Sequence, residues 1–516
     1  MEYQLENFVD FTPHMRRLLT EIGSGKMTNT AYDTAWIARL HELGEPMAEE
    51  ALEWLRAHQL ADGSWGAREP LYYHDRVISS LAAVIALARR GLAEDRMRIQ
   101  RALPAIHTYL GKLHLDPAGE TIAFEMLLPT LMAEAKKLNL VSRGGTVQLN
   151  AMTTMRESKL ARTPGRMINR HVTMAFSAEL AGKDGRHILD IPNLQEANGS
   201  VGFSPSATAY YALNVNPRNA KALSYLRSIF DDRGAPNVAP IDIFETAWTL
   251  WNLAQVGPLD KATITLCQPH LDFLEEAWDS QLGIGHAAGF TPRDGDDTGL
   301  VYEVLSRFGR SVSLDAVLGY EEDEHFRCFP LEANPSISAN IHILGALRQA
   351  GLPRHHSSVQ KIFRFLRRNR LDGHYWLDKW HASPYYTTAH AVIVAAGYES
   401  NLVRNAIAWI LETQNEDGSW GYYKTPTAEE TAYCLQALST WARIVEPVPL
   451  EALQKGAAWL HRHIDQPYLP LWIGKGLYAP TMVVKSTILS ALMMSTAILV
   501  SPFSRNGHNG HNGHSK

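Results

Sequence analysis

The sequence predicts an all-α protein. Three observations carry this: apolar residues recur at three- and four-residue spacing, alternating strand-like runs are scarce, and a helix followed by a tight glycine turn occurs twice in the same spelling. The helical spacing is clearest in 77–88, 124–138, 206–213, 243–253, 337–350 and 429–442. Turns containing Gly and Pro separate these segments, as expected for many short helices.

The repeated unit reads Ala51-x-x-Trp54-Leu55-x-x-x-Gln59-x-x-Asp62-Gly63-Ser64-Trp65-Gly66. It returns as Ala406-x-x-Trp409-Ile410-x-x-x-Gln414-x-x-Asp417-Gly418-Ser419-Trp420-Gly421. Weaker copies surround Gly199, Gly283 and Gly373. Glycine supplies the positive φ that ends the helix, and the tryptophan offers a large apolar surface that packs back on it. One such unit is an ordinary helix end. Recurrence at identical spacing predicts helical hairpins stacked around shared cores.

Composition bounds the function. The chain has 516 residues, enough for two domains, with 45% hydrophobic and 20% charged residues and a net charge of -5. Charges of both signs are interspersed, which argues against a nucleic-acid partner. Cys267, Cys328 and Cys434 are far apart, fit no metal spacing and predict no disulfide, so a cytoplasmic setting is expected. The acidic N-terminus predicts no signal peptide. No transmembrane segment is expected either, because the longest apolar run, 488–500, is broken by Ser490, Ser495 and Thr496 and reads as a core helix. The Asn-Gly-His tail from Ser504 to Lys516 reads as a disordered segment, with metal binding by its histidines as the alternative.

The densest chemistry is Asp294-Gly295-Asp296-Asp297, just ahead of an apolar-periodic stretch (Leu300, Val301, Val304, Leu305, Phe308). Three acids in four positions at a helix N-terminus have three readings: a cap, a cation site, or a Brønsted acid. The third follows because clustered carboxylates cannot all ionise cheaply, so one retains its proton, and a protonated histidine nearby would sharpen its acidity. An aspartate-rich DDxxD metal motif is missing: Asp296-Asp297 runs into Thr298-Gly299-Leu300 and Asp231-Asp232 into Arg233-Gly234-Ala235. The chain therefore lacks that means of ionising an allylic diphosphate.

An ordered series of landmarks accompanies these acids: Ala31-Tyr32-Asp33-Thr34-Ala35-Trp36, His74-Asp75-Arg76, Phe124-Glu125, Ser204-Pro205-Ser206-Ala207-Thr208-Ala209, Phe244-Glu245-Thr246-Ala247-Trp248, Asp378-Lys379-Trp380-His381, Tyr385-Tyr386-Thr387-Thr388-Ala389-His390 and Glu429-Glu430-Thr431-Ala432-Tyr433. With DxDD at 294–297, the chain from about residue 20 to 500 resembles the bacterial class II diterpene cyclases, a group including tuberculosinyl (halimadienyl), kolavenyl and copalyl diphosphate synthases.

The resemblance implies two α/α-barrel domains. A γ domain would span 23–240, inserted into a β domain of 241–503 that also claims an N-terminal helix within 1–22. It implies cyclisation of geranylgeranyl diphosphate, begun by a proton and retaining the diphosphate, between the two domains. Asp296 would donate the proton, with Asp294 and Asp297 in electrostatic support and His342 as hydrogen-bond partner; by itself, a histidine on an apolar helix face is as readily a core residue. Lys159 and Lys379 would grip the diphosphate. Trp380, Tyr386 and Tyr433 would line an aromatic cavity that favours carbocations. Magnesium is implied as cofactor, with Glu120 as the ligand available in 114–120. Relatives that stop at copalyl diphosphate use a His–Asn pair; the Asn is kept at Asn237 but the His position holds Phe176, so a rearranged halimadienyl or kolavenyl-type product is expected, with copalyl diphosphate as the alternative. The retained diphosphate would need a downstream enzyme to remove it, and a homodimer stays an open option.

Competing readings are a squalene–hopene-type cyclase, a catalytically dead helical-barrel binding module, and a protein prenyltransferase subunit. Two full repeats, the absence of a membrane-docking patch and the two lysines disfavour the first. The intact acid with its histidine disfavours the second, and the lack of a zinc set disfavours the third.

Overall fold

Helices carry the architecture. It was determined as a computed structural model describing residues 9–500 apart from 142–146, 164, 166, 331, 333 and 466. The predicted tail at 504–516, and the first eight residues of the predicted N-terminal helix, lie outside the described residues.

In chain order the helices are α1 (Thr12–Glu21), α2 (Ala31–Ala38), α3 (Met47–Ala57), α4 (Tyr73–Arg90), α5 (Arg96–Leu110), α6 (Phe124–Lys137), α7 (Val147–Arg162), α8 (Pro205–Tyr210), α9 (Ala220–Ile229) and α10 (Asp242–Val256). They continue as α11 (Lys261–Ala277), α12 (Gly295–Arg307), α13 (Asp315–Leu318), α14 (Ile337–Gln349), α15 (Ser357–Arg368), α16 (Pro384–Ala395), α17 (Ser400–Glu412), α18 (Ala428–Ile444), α19 (Leu450–Arg462) and α20 (Thr481–Leu499).

Two closed rings result. Helices α10, α12, α14, α16, α18 and α20 each contact the next, and α20 returns to α10. These six are buried over most of their length, polar residues such as Asn252, Glu303 and Gln436 included. Amphipathic α11, α15, α17 and α19 pack outside, and α1 lies against α20 and α11. A second ring runs α2, α4, α6, the 3₁₀ segment Thr173–Ala181 and α8, closing back on α2. Each ring encloses its own apolar core: one draws on 11–22 and 243–492, the other on 31–235.

The repeated unit performs the same task in both rings. Trp65 Nε1 donates to the Leu55 carbonyl at 2.7 Å, and Trp420 Nε1 to the Ile410 carbonyl at 2.7 Å. Gln59 and Gln414 bridge the turn carbonyls of Gly63 and Gly418 (2.8 and 3.0 Å) to the next outer helix. Gly418 sits at φ +95°, and a Cβ there would meet the Lys455 backbone at 2.5 Å.

Helix α20 differs from its expected reading. The helix begins at Thr481 rather than 488; an 18-residue stretch of its 19 residues has a mean hydropathy of 1.7, long and apolar enough to cross a membrane, and 61% of that stretch is buried inside the protein. Its hydroxyls are satisfied within the ring, as where Thr487 Oγ1 donates to the Val483 carbonyl at 3.0 Å and Ser490 Oγ to the Asn252 carbonyl at 2.7 Å.

Two short antiparallel ribbons stitch the rings together. Asn29–Thr30 pairs with Ala235–Pro236 where the chain enters and leaves the smaller ring. A hairpin pairs Trp472–Ile473 with Leu477–Tyr478. Its tip carries Lys475 into the smaller ring, where Nζ meets Glu179 at 2.6 Å and the Ser204 and Ser206 hydroxyls at 2.7 Å each.

Candidate active site

The acid motif opens α12. Asp294 is its N-cap: the carboxylate accepts the Asp297 amide at 2.8 Å. This accounts for one acid and leaves two. Burial raises Asp294 to about 7 and lifts Asp297 well above the carboxylate range, the latter with help from the Asp294 charge. Asp294 Oδ2 and Asp297 Oδ1 are buried without another partner, and with both carboxyls pushed up by burial the pair retains a proton.

Asp296 faces the other way and stays 13% exposed at its side chain. Its Oδ1 lies 2.5 Å from His342 Nδ1, and its Oδ2 accepts the Ser338 hydroxyl at 3.3 Å. His342 is fully buried on α14, and its Nε2 lies 2.8 Å from His390 Nδ1. Burial drives His390 far below the usual imidazole range, so it is neutral and available as acceptor. The α14 N-terminus is held by Asp378, which accepts the Ile337 amide at 2.7 Å and the Ser338 hydroxyl at 2.8 Å. That closer, buried carboxylate takes the Ser338 proton in preference to Asp296.

A cavity of about 400 Å³ opens from Asp296 between the two rings. Its walls are mainly aromatic and aliphatic, with Phe244, Trp248, Phe290, Trp472, Phe176 and Trp380 prominent. Trp248 meets His342 edge-on at 5.4 Å and packs on Phe244 at 4.2 Å. Lys159, Arg162 and Glu125 bring charge to the lining. A wider cleft of about 1180 Å³ follows the smaller ring past Trp54, His58 and Asp231, but it contains neither Asp296 nor His342. Size alone does not identify the site; the chemistry lies in the smaller, drier cavity.

The expected site residues divide accordingly. Asp294, Asp296, Asp297, Lys159, Phe176, Asn237 and Trp380 all line this cavity. Tyr386 and Tyr433 stand one layer back from the expected lining: Tyr386 packs behind Trp472 at 4.9 Å, and the Tyr433 hydroxyl donates to Glu429 at 2.9 Å. Lys379 is also outside the lining, its ammonium tied to Glu332 and to the Asn334 carbonyl, each at 2.6 Å. Burial works against the Lys379 charge, but Glu332 outweighs it and raises the ammonium above its usual value. Asn237 is occupied: its Nδ2 donates to Asp33 at 3.0 Å and its Oδ1 accepts the Lys475 amide at 3.4 Å. Phe176 presents a ring with the Lys475 ammonium 4.4 Å from its centroid.

Glu120 lies near Glu125, which is ion-paired with Lys159. Crowding of its carboxyl, and then Glu125, raises Glu120 to about 8, although the residue as a whole is exposed. Burial opposes the Glu125 charge, but Glu120 and the ion-paired Lys159 outweigh it and lower the group. Among the described residues no cluster of three or more His, Cys, Asp or Glu could hold a metal. The pair nonetheless fits magnesium of the kind carried on a diphosphate, which takes one or two protein carboxylates and completes its shell with phosphate oxygens and water.

Sequence reasoning missed Ser338, Asp378, His390, Glu125 and Glu332 as site residues. Asp378, His390 and Glu125 stood inside quoted landmarks, yet nothing in their spacing tied them to Asp296 or Lys159.

The squalene-hopene cyclase C-terminal domain family matches residues 331–468. A type B diterpene cyclase of Mycobacterium tuberculosis is 44% identical, over 93% of this chain and 98% of that protein. A (+)-kolavenyl diphosphate synthase of Herpetosiphon aurantiacus is 30% identical, over 93% of this chain and 97% of its own. Among solved structures, ent-copalyl diphosphate synthase from Streptomyces platensis superposes with a TM-score of 0.76 at 29% identity, covering 94% of this chain and 98% of that one.

Proposed function

The chain belongs to the class II diterpene cyclases, and from that premise we propose that it folds geranylgeranyl diphosphate into a rearranged bicyclic diphosphate of the halimadienyl or kolavenyl type. The observation that carries this is the Asp296–His342 contact of 2.5 Å at an apolar cavity that Lys159 and Arg162 also line.

Asp296 is the proton donor. With Oδ1 accepting from His342 and the Ser338 proton drawn to Asp378, Oδ2 is the oxygen left to carry the reacting proton toward the alkene. Asp294 and Asp297 supply acidic surroundings without competing for the substrate, because their retained proton and the α12 cap occupy them. Protonation of the terminal alkene leaves a tertiary carbocation, which the inner alkenes capture in turn. The rings of Phe244, Trp248 and Trp472 stabilise positive charge through their faces and exclude water that would quench it.

Lys159 and Arg162 hold the diphosphate, and Lys379 backs the same region through Glu332. Glu120 and Glu125 would hold Mg²⁺, which when bound neutralises diphosphate charge. The diphosphate survives, since the chemistry begins at the opposite end of the substrate. The product then needs a separate enzyme to remove it. Three unpaired, buried cysteines fit a reducing cytoplasm.

The rearranged product is supported by Phe176 and Asn237. A phenyl ring cannot accept a proton, and the Asn237 amide is already committed to Asp33 and Lys475. The first bicyclic cation therefore survives long enough for hydride and methyl shifts. Incubation of the purified protein with geranylgeranyl diphosphate, followed by dephosphorylation and identification of the alcohol, tests this. A rearranged skeleton is expected, and Phe176→His diverts part of the flux to early deprotonation. A copalyl product from the wild type overturns the rearrangement, and release of pyrophosphate matching product overturns retention of the diphosphate.

A further inference from the structure

His286 stands on the loop that leads into the acid motif. The loop is clamped at both ends: Ile284 receives the Asp294 amide at 3.1 Å and donates its own to the Thr298 hydroxyl at 3.0 Å, while the His286 carbonyl accepts the Phe244 amide at 3.0 Å. The position of the imidazole is thus set by the same helix that carries Asp296. The ring lines the cavity. It packs on Phe290 at 4.1 Å and meets Phe203 edge-on at 5.9 Å, in the apolar cluster that includes Phe176, Val238 and Phe244.

What distinguishes this histidine is an unpartnered ring whose nitrogen can take up a proton. Nε2 is buried without a hydrogen bond. A buried imidazole left unsatisfied costs stability, and such groups call for an explanation. Trp248 Nε1, Trp380 Nε1, Asp294 Oδ2 and Asp297 Oδ1 also line the cavity without a partner, but an indole N–H has no lone pair to take a proton and burial keeps a proton on the two carboxyls. Asn237 is bonded at both amide atoms, and burial keeps the Cys328 thiol protonated.

We propose that His286 is the base that ends the cyclisation, taking the proton from the carbon next to the final carbocation. The C–H electron pair becomes the ring alkene, and the proton passes to a free imidazole nitrogen, giving imidazolium. One proton enters from Asp296 and one leaves to His286, so substrate and product are isomers. Burial lowers this ring to about 3, which leaves it neutral across the physiological range and makes the imidazolium shed its proton readily after turnover. Weak basicity is no obstacle, because a carbocation is a far stronger acid.

The assignment rests on the proposed reaction, so the test separates the two. Wild type, His286→Phe and His286→Gln are incubated with geranylgeranyl diphosphate, and the dephosphorylated products are resolved by gas chromatography with mass detection. Loss of a general base slows that step by about 10²–10⁴-fold. In His286→Phe, which keeps an aromatic filler, the wild-type alkene falls to a minor share, displaced by alkene isomers and water-captured bicyclic alcohols. His286→Gln, whose carbonyl can accept a proton, restores part of the wild-type share. An unchanged single alkene from either folded variant overturns the assignment, and points to the spent Asp296 carboxylate or the diphosphate as base. Failure of the wild type to convert the substrate would instead sink the proposed function.

Discussion

Each ring buries acids at the wall it shares with the other, and the two clusters are neutralised in different ways. In the smaller ring, Asp33 lies in the first turn of α2 and accepts the Thr30 hydroxyl at 2.8 Å, the Ser206 amide at 3.2 Å and Asn237 Nδ2 at 3.0 Å. Beside it, Glu179 is paired with the buried Lys475 at 2.6 Å. In the larger ring the same location, the first turn of an inner helix, holds Asp294, Asp296 and Asp297. There the partner of Asp296 is an imidazole, backed by a neutral second imidazole. A fixed ammonium locks a carboxylate into a structural ion pair. An imidazole that can gain or lose a proton, beside carboxyls that already retain one, leaves an acid able to give its proton away. Architecture is common to both; the counter-group decides which acid is inert.

Breaking the reactive cluster has the largest expected effect. Asp296→Asn keeps the shape and the contacts with His342 and Ser338 but removes the acidic proton, so turnover falls by about 10³-fold or more while the circular dichroism spectrum and substrate binding persist. Near-normal turnover would remove Asp296 from the chemistry.

Breaking the structural cluster is felt in stability. Lys475→Met leaves Glu179 buried without its cation, and loss of one partner from a fully buried pair costs about 3–5 kcal/mol. A large drop in the thermal midpoint is expected. A midpoint within a degree or two of wild type would mean that water reaches Glu179 and that the ring junction is not held by this pair.

A smaller effect distinguishes the two lysines proposed for the diphosphate. Lys159→Ala, on the cavity wall, should raise KM by about tenfold, in line with the loss of a charged hydrogen bond. Lys379→Ala should raise it less, because that ammonium is held by Glu332 behind the wall. Steady-state kinetics with both variants settle the order, and the reverse order would move the diphosphate toward Lys379.

The gentlest probe is pH. Asp294 titrates near 3.8 in an unfolded chain and about 7 when buried. Within that window the native state binds more protons than the unfolded state at this site, so its contribution to stability declines as pH rises. Asp294→Asn still caps α12 but cannot titrate, so its thermal midpoint should fall less steeply with pH across the window. Parallel midpoint curves would show that another group holds the proton.

Much of the helical framework could be read in advance. Trp65 and Trp420, with Gln59 and Gln414, announced matching helix ends that recur in both rings, since each unit closes within about a dozen residues or reaches only the next helix. Asp294 as cap, and Asp296 as the acid turned elsewhere, follow from three carboxyls ahead of one apolar helix. The start of α20 was misjudged, because Lys485 and the hydroxyls among its first residues obscure an apolar run that the ring neighbours satisfy.

Local chemistry thus wrote the helices, their glycine ends and the acid motif into the chain, because those features depend on residues a few positions apart. Pairing across the fold was a different matter. Lys475 meets Glu179 across 296 positions, His342 reaches Asp296 across 46, and nothing in the spacing of Ser338, Asp378 or His390 foretold the chain of contacts that links Asp296 to Ser338 and Asp378 on one side and to His342 and His390 on the other. The same holds for His286, whose Nε2 is left without a partner only once folding buries it. Protonation and reactivity follow desolvation and neighbouring charge, and both come into being when the rings close.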